Sequence, residues 1–184
     1  MDIEKNPNPQ GKGNLPVLRA LDRNTAMAAR VLPKKWEQVS RELFTSLFVL
    51  ESSFRFQPVS GQEYWLYLEN DDFALSFLPP EEKITFALTV GQCFLQSDMT
   101  WTLELTEEAI ADEDLQNLLT GRQEHFAEKL AHRGGLDELL PHYNANIPFT
   151  QRVLLFALGH SLKTSLKHSG EGEVYRITSG PASA

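Results

Sequence analysis

Residues 54–105 read FRFQPVSGQEYWLYLENDDFALSFLPPEEKITFALTVGQCFLQSDMTWTLEL, and the fold turns on that stretch. A strand sends successive side chains to opposite faces, so a half-buried strand is apolar at every second position. Phe73, Leu75 and Phe77 alternate with Ala74 and Ser76. Ile84, Phe86, Leu88 and Val90 alternate with Thr85, Ala87 and Thr89, and Met99, Trp101, Leu103 and Leu105 with Thr100, Thr102 and Glu104. Threonine, β-branched and polar, suits the solvated face. Tyr64–Leu68 (YWLYL) is apolar on both faces, which predicts a central strand or one covered on both sides.

Turn residues separate these runs. Ser60-Gly61 and Asn70-Asp71-Asp72 are turn-forming types, Pro79-Pro80 stops a strand for want of an N–H, and Ser97-Asp98 predicts a tight hairpin. Gly91 predicts a bulge or kink inside one long strand. Connections this short join antiparallel neighbours, because parallel ones need a long crossover. The stretch therefore predicts an antiparallel meander of five or six strands, and an α+β chain in which helices flank the sheet.

The order F-x-P, YWLY, LSFLPPEE, a Gly-bearing strand and then D-M-T-W-T resembles an uncharacterised conserved family, a domain of unknown function of bacteria and eukaryotes. The matching residues include Phe56, Pro58, Gly61, Tyr64, Leu66, Tyr67, Leu75, Ser76, Pro80, Glu81 and Glu82. They continue with Gly91, Leu95, Asp98, Thr100, Trp101 and Thr102, and the Asn6-Pro7 and Asn8-Pro9 pairs near the start are also similar. Lys83 departs from the pattern, standing where that family tends to carry Trp, and residues 106–184 have no counterpart in it. The resemblance implies the same sheet and no particular activity.

The chain has 184 residues, enough for one domain with a proper core, and 41% hydrophobic residues is ordinary for a globular protein. A net charge of -8 with the 17 Lys and Arg scattered argues against nucleic acid, whose phosphates demand a basic face. Cys93 is the only cysteine, so no internal disulfide is available; within a strand it reads as a small buried hydrophobe rather than a reactive thiol. The polar start predicts no secretory signal, and no apolar run approaches membrane-spanning length. The expectation is a cytoplasmic protein.

Residues 1–14 are rich in Asn, Pro, Gly and charge and read as a flexible arm; residues 15–178 read as one α+β domain, and 179–184 as a loose tail. Within that domain the sheet occupies 54–105 and a helical part 106–168. Leu15–Leu32 reads as partly helical. In Lys34–Ser53, Trp36, Val39, Leu43, Leu47 and Leu50 form one helical stripe, widened by Phe44 and Phe48, and such a face belongs against a sheet.

After the sheet, Thr106–Arg133 reads as helix with Asp112 as an N-cap, Leu115, Leu118, Leu119, Phe126 and Leu130 as its apolar face, and Gly134-Gly135 as its stop. A short turn at Leu136–Leu140 and a polar loop at His142–Ile147 lead to Pro148, which opens a last helix lined by Leu154, Leu155, Leu158, Leu162 and Leu166. Glu173–Thr178 alternates and predicts an edge strand.

No catalytic motif stands out. His125, Glu128 and His132 share one side of a helix, but two turns put the histidines roughly 10 Å apart, too far for one ion, so no metal is assigned. Gly159-His160-Ser161 lacks the second glycine of a nucleophile elbow, because Lys163 occupies that position. The turn carboxylates Asp71-Asp72 and Glu81-Glu82 read as solubilising. Tyr64, Tyr67, Trp65 and Trp101 are aromatic with polar tips on neighbouring strands; packing is the simpler reading and a ligand pocket the sharper one.

Two functions follow, with no cofactor assigned to either. One is a non-catalytic binding or interaction module with a protein partner or a second copy, of which an acidic chaperone-like dimer is a variant. The other is an enzyme or small-ligand protein with a pocket between the sheet and the helix at 34–53, in which Tyr64, Tyr67, Trp101 and His142 bind the ligand.

Overall fold

The structure, a computed structural model, describes residues 31–83, 88–132 and 147–170. The chain forms α1 (Trp36–Glu51), β1 (Glu63–Glu69), β2 (Asp72–Ser76), β3 (Leu88–Leu95), β4 (Trp101–Leu105), α2 (Glu107–Ala111), α3 (Glu113–His132) and α4 (Phe149–Ser169). The strands make one sheet in the order β2-β1-β3-β4, every pair antiparallel. This is the expected α+β arrangement, with helices segregated from the strands.

The sheet has four strands rather than five or six among the described residues. Phe54–Val59 alternates in sequence yet forms no strand; only Ser53, just before it, makes a parallel bridge to Ala74. Pro58 has no N–H to give, and both the N–H and the C=O of Val59 are taken by the Tyr64 hydroxyl, at 2.7 and 3.3 Å. The phenylalanines of this run pack by side chain instead, Phe56 lying on Tyr64 with ring centroids 5.4 Å apart.

Turn chemistry sets the register. Asn70 and Asp71 both adopt positive φ, 49° and 67°, as a two-residue type I′ hairpin requires, and they join the Glu69–Asp72 pair. Opposite β1, the register slips by one between Leu66, which pairs with Gly91, and Tyr67, which pairs with Thr89. The extra residue is Val90, so Gly91 does sit at a bulge within one continuous strand. A Cβ on Gly91 would lie 2.3 Å from the Glu104 carbonyl oxygen, so β4 can approach β3 here only because that atom is missing.

The hairpin between β3 and β4 closes through Ser97, Asp98 and Met99: the Met99 N–H donates to Gln96 O and the Gln96 N–H to Thr100 O. Met99 takes the left-handed position of this loop, φ 70°, where glycine is usual, and its buried side chain offsets that strain.

β1 is central and covered on both faces. Tyr64 and Leu66 point to the core, and Tyr67, on the opposite face, is equally buried. The loop after β2 crosses that second face. The Tyr67 hydroxyl donates to Leu78 O at 2.8 Å, and Lys83 Nζ stands 3.5 Å above the Tyr67 ring while pairing with Glu69.

α1 is buried on two sides, not one. Val39, Leu43, Ser46 and Leu50 share a face, Phe48 lies about half a turn away, and all are buried. The Trp101 N–H donates to Ser46 Oγ across to β4, while Gln151 Nε2 of α4 donates to the carbonyl of Ser52 just past the end of α1. α1 thus lies between sheet and α4, and one apolar cluster draws on every element.

The mostly helical segment expected at 106–133, with Asp112 as an N-cap, holds two helices among the described residues. α2 is capped by the Thr106 hydroxyl, which accepts from the Ala109 N–H, and α3 starts at Asp112, whose carboxylate accepts from the Leu115 N–H at 2.8 Å. α4 follows Pro148 and stops at Gly170 with φ 78°, a left-handed C-cap. No helix among the described residues is long and apolar enough to cross a membrane. The arm expected at 1–14, residues 15–30 of the helix expected at 15–32, residues 84–87, Gly134-Gly135, Leu136–Leu140, His142, the strand expected at 173–178 and the tail expected at 179–184 lie outside the described residues; Val31 and Leu32 are described and are not helical.

Candidate functional site

The three described residues of the expected pocket occupy two places. Tyr64 and Trp101 meet edge to face on the core side, ring centroids 5.7 Å apart, because Tyr64 pairs with Cys93 and Trp101 with Leu95 on neighbouring strands. Tyr67 faces the other way, since adjacent strand positions alternate, and reaches the Leu78 carbonyl. His142 lies outside the described residues.

Within the core pair the Tyr64 hydroxyl is satisfied by Val59, but Trp101 Nε1 is buried with no acceptor among the described residues. A buried donor without a partner costs about 1–3 kcal/mol.

Burial and charge pairing shift a few of the described titratable groups. Burial pushes the Cys93 thiol up to about 12, so it stays protonated and behaves as a small apolar side chain. Burial also raises the Tyr67 phenol, reinforced by the carboxylates of Glu81 and Glu69. A partly buried charged unit joins Lys34, Asp98 and Glu42, bringing the segment before α1 onto the β3–β4 hairpin. Burial alone would raise the Asp98 carboxyl, but Lys34 and two hydrogen bonds from Thr100 overcome it and hold it below the usual carboxylate range. Lys34 is the mirror case: burial lowers it, and Asp98 and Glu42 more than compensate, so it ends above its ordinary value.

Among the described residues, no group of three or more His, Cys, Asp or Glu is placed to hold a metal. His125 Nδ1 lies 3.9 Å from Glu128, and both side chains are well exposed.

The feature that the leucine pattern of α4 concealed is its outer strip. The buried side carries Leu154, Leu158, Leu162 and Leu166, but Phe149 and Phe156 point outward, 50% and 67% exposed. Seven residues apart, they lie about 20° apart around the helix axis, in line with His160 and Lys167. Arg152 reaches back over the Phe149 ring at 5.7 Å. The signal was present as two aromatics at i and i+7 on the polar side of a leucine stripe. No protein-family model matches the chain, and neither a curated protein nor a solved structure matches it.

Proposed function

We propose that this chain is a non-catalytic interaction module whose contact surface is the outer strip of α4. The observation that carries the reading is the exposure of Phe149 and Phe156 on a helix whose opposite side is thoroughly buried. Exposed aromatics in line, flanked by cations, are the composition of a protein contact surface. The side chains that chemistry would recruit are otherwise occupied: Cys93 is buried and protonated, and Tyr64 and Tyr67 each have a backbone partner.

The second reading, a small ligand held between the sheet and α1, has one observation in its favour. Trp101 Nε1 is a buried donor with no acceptor among the described residues, beside Tyr64. A thermal-shift screen with metabolites and divalent metals separates the two. The interaction reading expects no compound to move the melting temperature. A metabolite that raises it by several degrees, and loses that effect in Trp101→Phe, overturns the interaction reading in favour of the pocket.

A further inference from the structure

We infer that the occupant of the α4 strip is a second copy of this chain, whose α2–α3 edge supplies the complementary surface; the inference rests on the interaction reading above. α4 contains no Asp or Glu and carries Arg152, Lys163 and Lys167. Residues 107–118, which span α2 and the start of α3, contain five acids and no Lys or Arg. This acidic edge also exposes two aliphatic side chains, Ile110 at 61% and Leu118 at 43%. Each surface therefore combines exposed apolar groups with one sign of charge, and the signs are opposite.

The remainder of the molecule sharpens the choice. Two copies of a chain with net charge -8 repel one another in most orientations. The orientation that sets the cationic strip of one copy against the acidic edge of the other replaces that repulsion with attraction, and like-charge contact elsewhere disfavours wrong registers. In a two-fold pair the strip of each copy meets the edge of the other, so the contact is made twice, once in each direction. From Phe149 to Lys167 the strip is about 27 Å long, so two such contacts make a modest interface, suited to reversible association.

The test is a charge swap read by light scattering after size exclusion, at physiological ionic strength and about 100 μM protein. One variant carries His160→Glu, Lys163→Glu and Lys167→Glu on the strip, which makes that surface net negative; the other carries Glu107→Lys, Glu108→Lys, Glu113→Lys and Asp114→Lys, which makes the edge net positive. Apart from half-buried Lys163 these side chains are exposed, and circular dichroism checks that both variants are folded. The wild type is expected at twice the monomer mass and each variant alone at the monomer mass. An equimolar mixture of the two variants returns to twice the monomer mass, since strip and edge are again opposite in sign in both contacts. A Phe149→Ser, Phe156→Ser variant is expected to be monomeric and to remain so in either mixture.

A wild type that is strictly monomeric overturns the inference. So does a dimer that survives in both charge variants, or a mixture that stays monomeric. None of these results bears on the small-molecule screen, so the second-copy assignment can fail while the interaction reading stands.

Discussion

The backbone N–H of Trp101 donates to the hydroxyl of Ser46 at 2.9 Å, joining β4 to α1 across 55 residues of chain, with both residues buried. Ser46 lies on a helix face that is otherwise Val and Leu, so its hydroxyl serves the strand rather than solvent. Removing it leaves a buried amide without a partner. Ser46→Ala is expected to cost about 1–3 kcal/mol, read as a lower urea midpoint at unchanged slope. Ser40→Ala, which deletes only a hydroxyl bonded to its own helix at Trp36 O, is the control and should change stability by about 0.5 kcal/mol or less. Equal effects would show that the inter-element bond is not what matters.

Two glycines should respond oppositely to the same change. Gly91→Ala drives a methyl into the Glu104 carbonyl at 2.3 Å and Leu103 Cδ1 at 2.8 Å, and neither backbone nor neighbour has room. A loss of about 3 kcal/mol or more, or failure to accumulate folded protein, is expected. Gly121, in the middle of α3, has nothing within 4 Å of an added Cβ. Gly121→Ala should stabilise by about 0.5–1 kcal/mol in the same denaturation assay.

The Lys34–Asp98 pair makes stability depend on pH in a defined window. Asp98 titrates below its unfolded value, so its contribution is present above about pH 4 and fades as pH falls through the folded value. Lys34 titrates above its unfolded value, so its contribution is present below about pH 10.4 and fades as pH rises past it. Asp98→Ala should therefore cost about 1–3 kcal/mol across the neutral range, and the deficit should shrink on both flanks. A deficit that shrinks in acid but stays constant into alkaline pH would show that Asp98 acts through its Thr100 hydrogen bonds rather than through Lys34.

The cover over the second sheet face rests on Tyr67. Tyr67→Phe removes the bond to Leu78 O and should cost about 0.5–1.5 kcal/mol. Lys83→Ala removes the cation above the ring and the Glu69 pair, for about 0.5–2 kcal/mol. In the double variant the two losses should fall short of adding, because both hold the same loop onto the same ring; strict additivity in thermal unfolding would argue that they act separately.

The middle of the chain was legible because period-two alternation and turn residues are local facts. Asn70-Asp71 set a hairpin, Gly91 a bulge, Asp112 a helix cap and Pro148 a helix start, each through the conformations its own backbone or side chain allows. Phe54–Val59 was misread for the opposite reason. Its alternation is as good as that of β2, but whether a run joins a ladder depends on a neighbour offering matching donors and acceptors. Here Tyr64, five residues on, had already taken those of Val59.

The candidate site divides the same way. Alternation alone puts Tyr64 and Tyr67 on opposite faces, so their separation was readable. What lay above Tyr67 was not, since Lys83 arrives through a loop whose path no period encodes. Local sequence determined the elements, their ends and the sides of each strand, because those follow from steric and hydrogen-bonding rules spanning a few residues. Only the tertiary structure decided that Trp101 meets Ser46, that Lys34 meets Asp98, and that Phe149 and Phe156 of α4 stay on the outside. Each of those depends on which distant surfaces win the competition for burial, and that is a property of the whole packed chain.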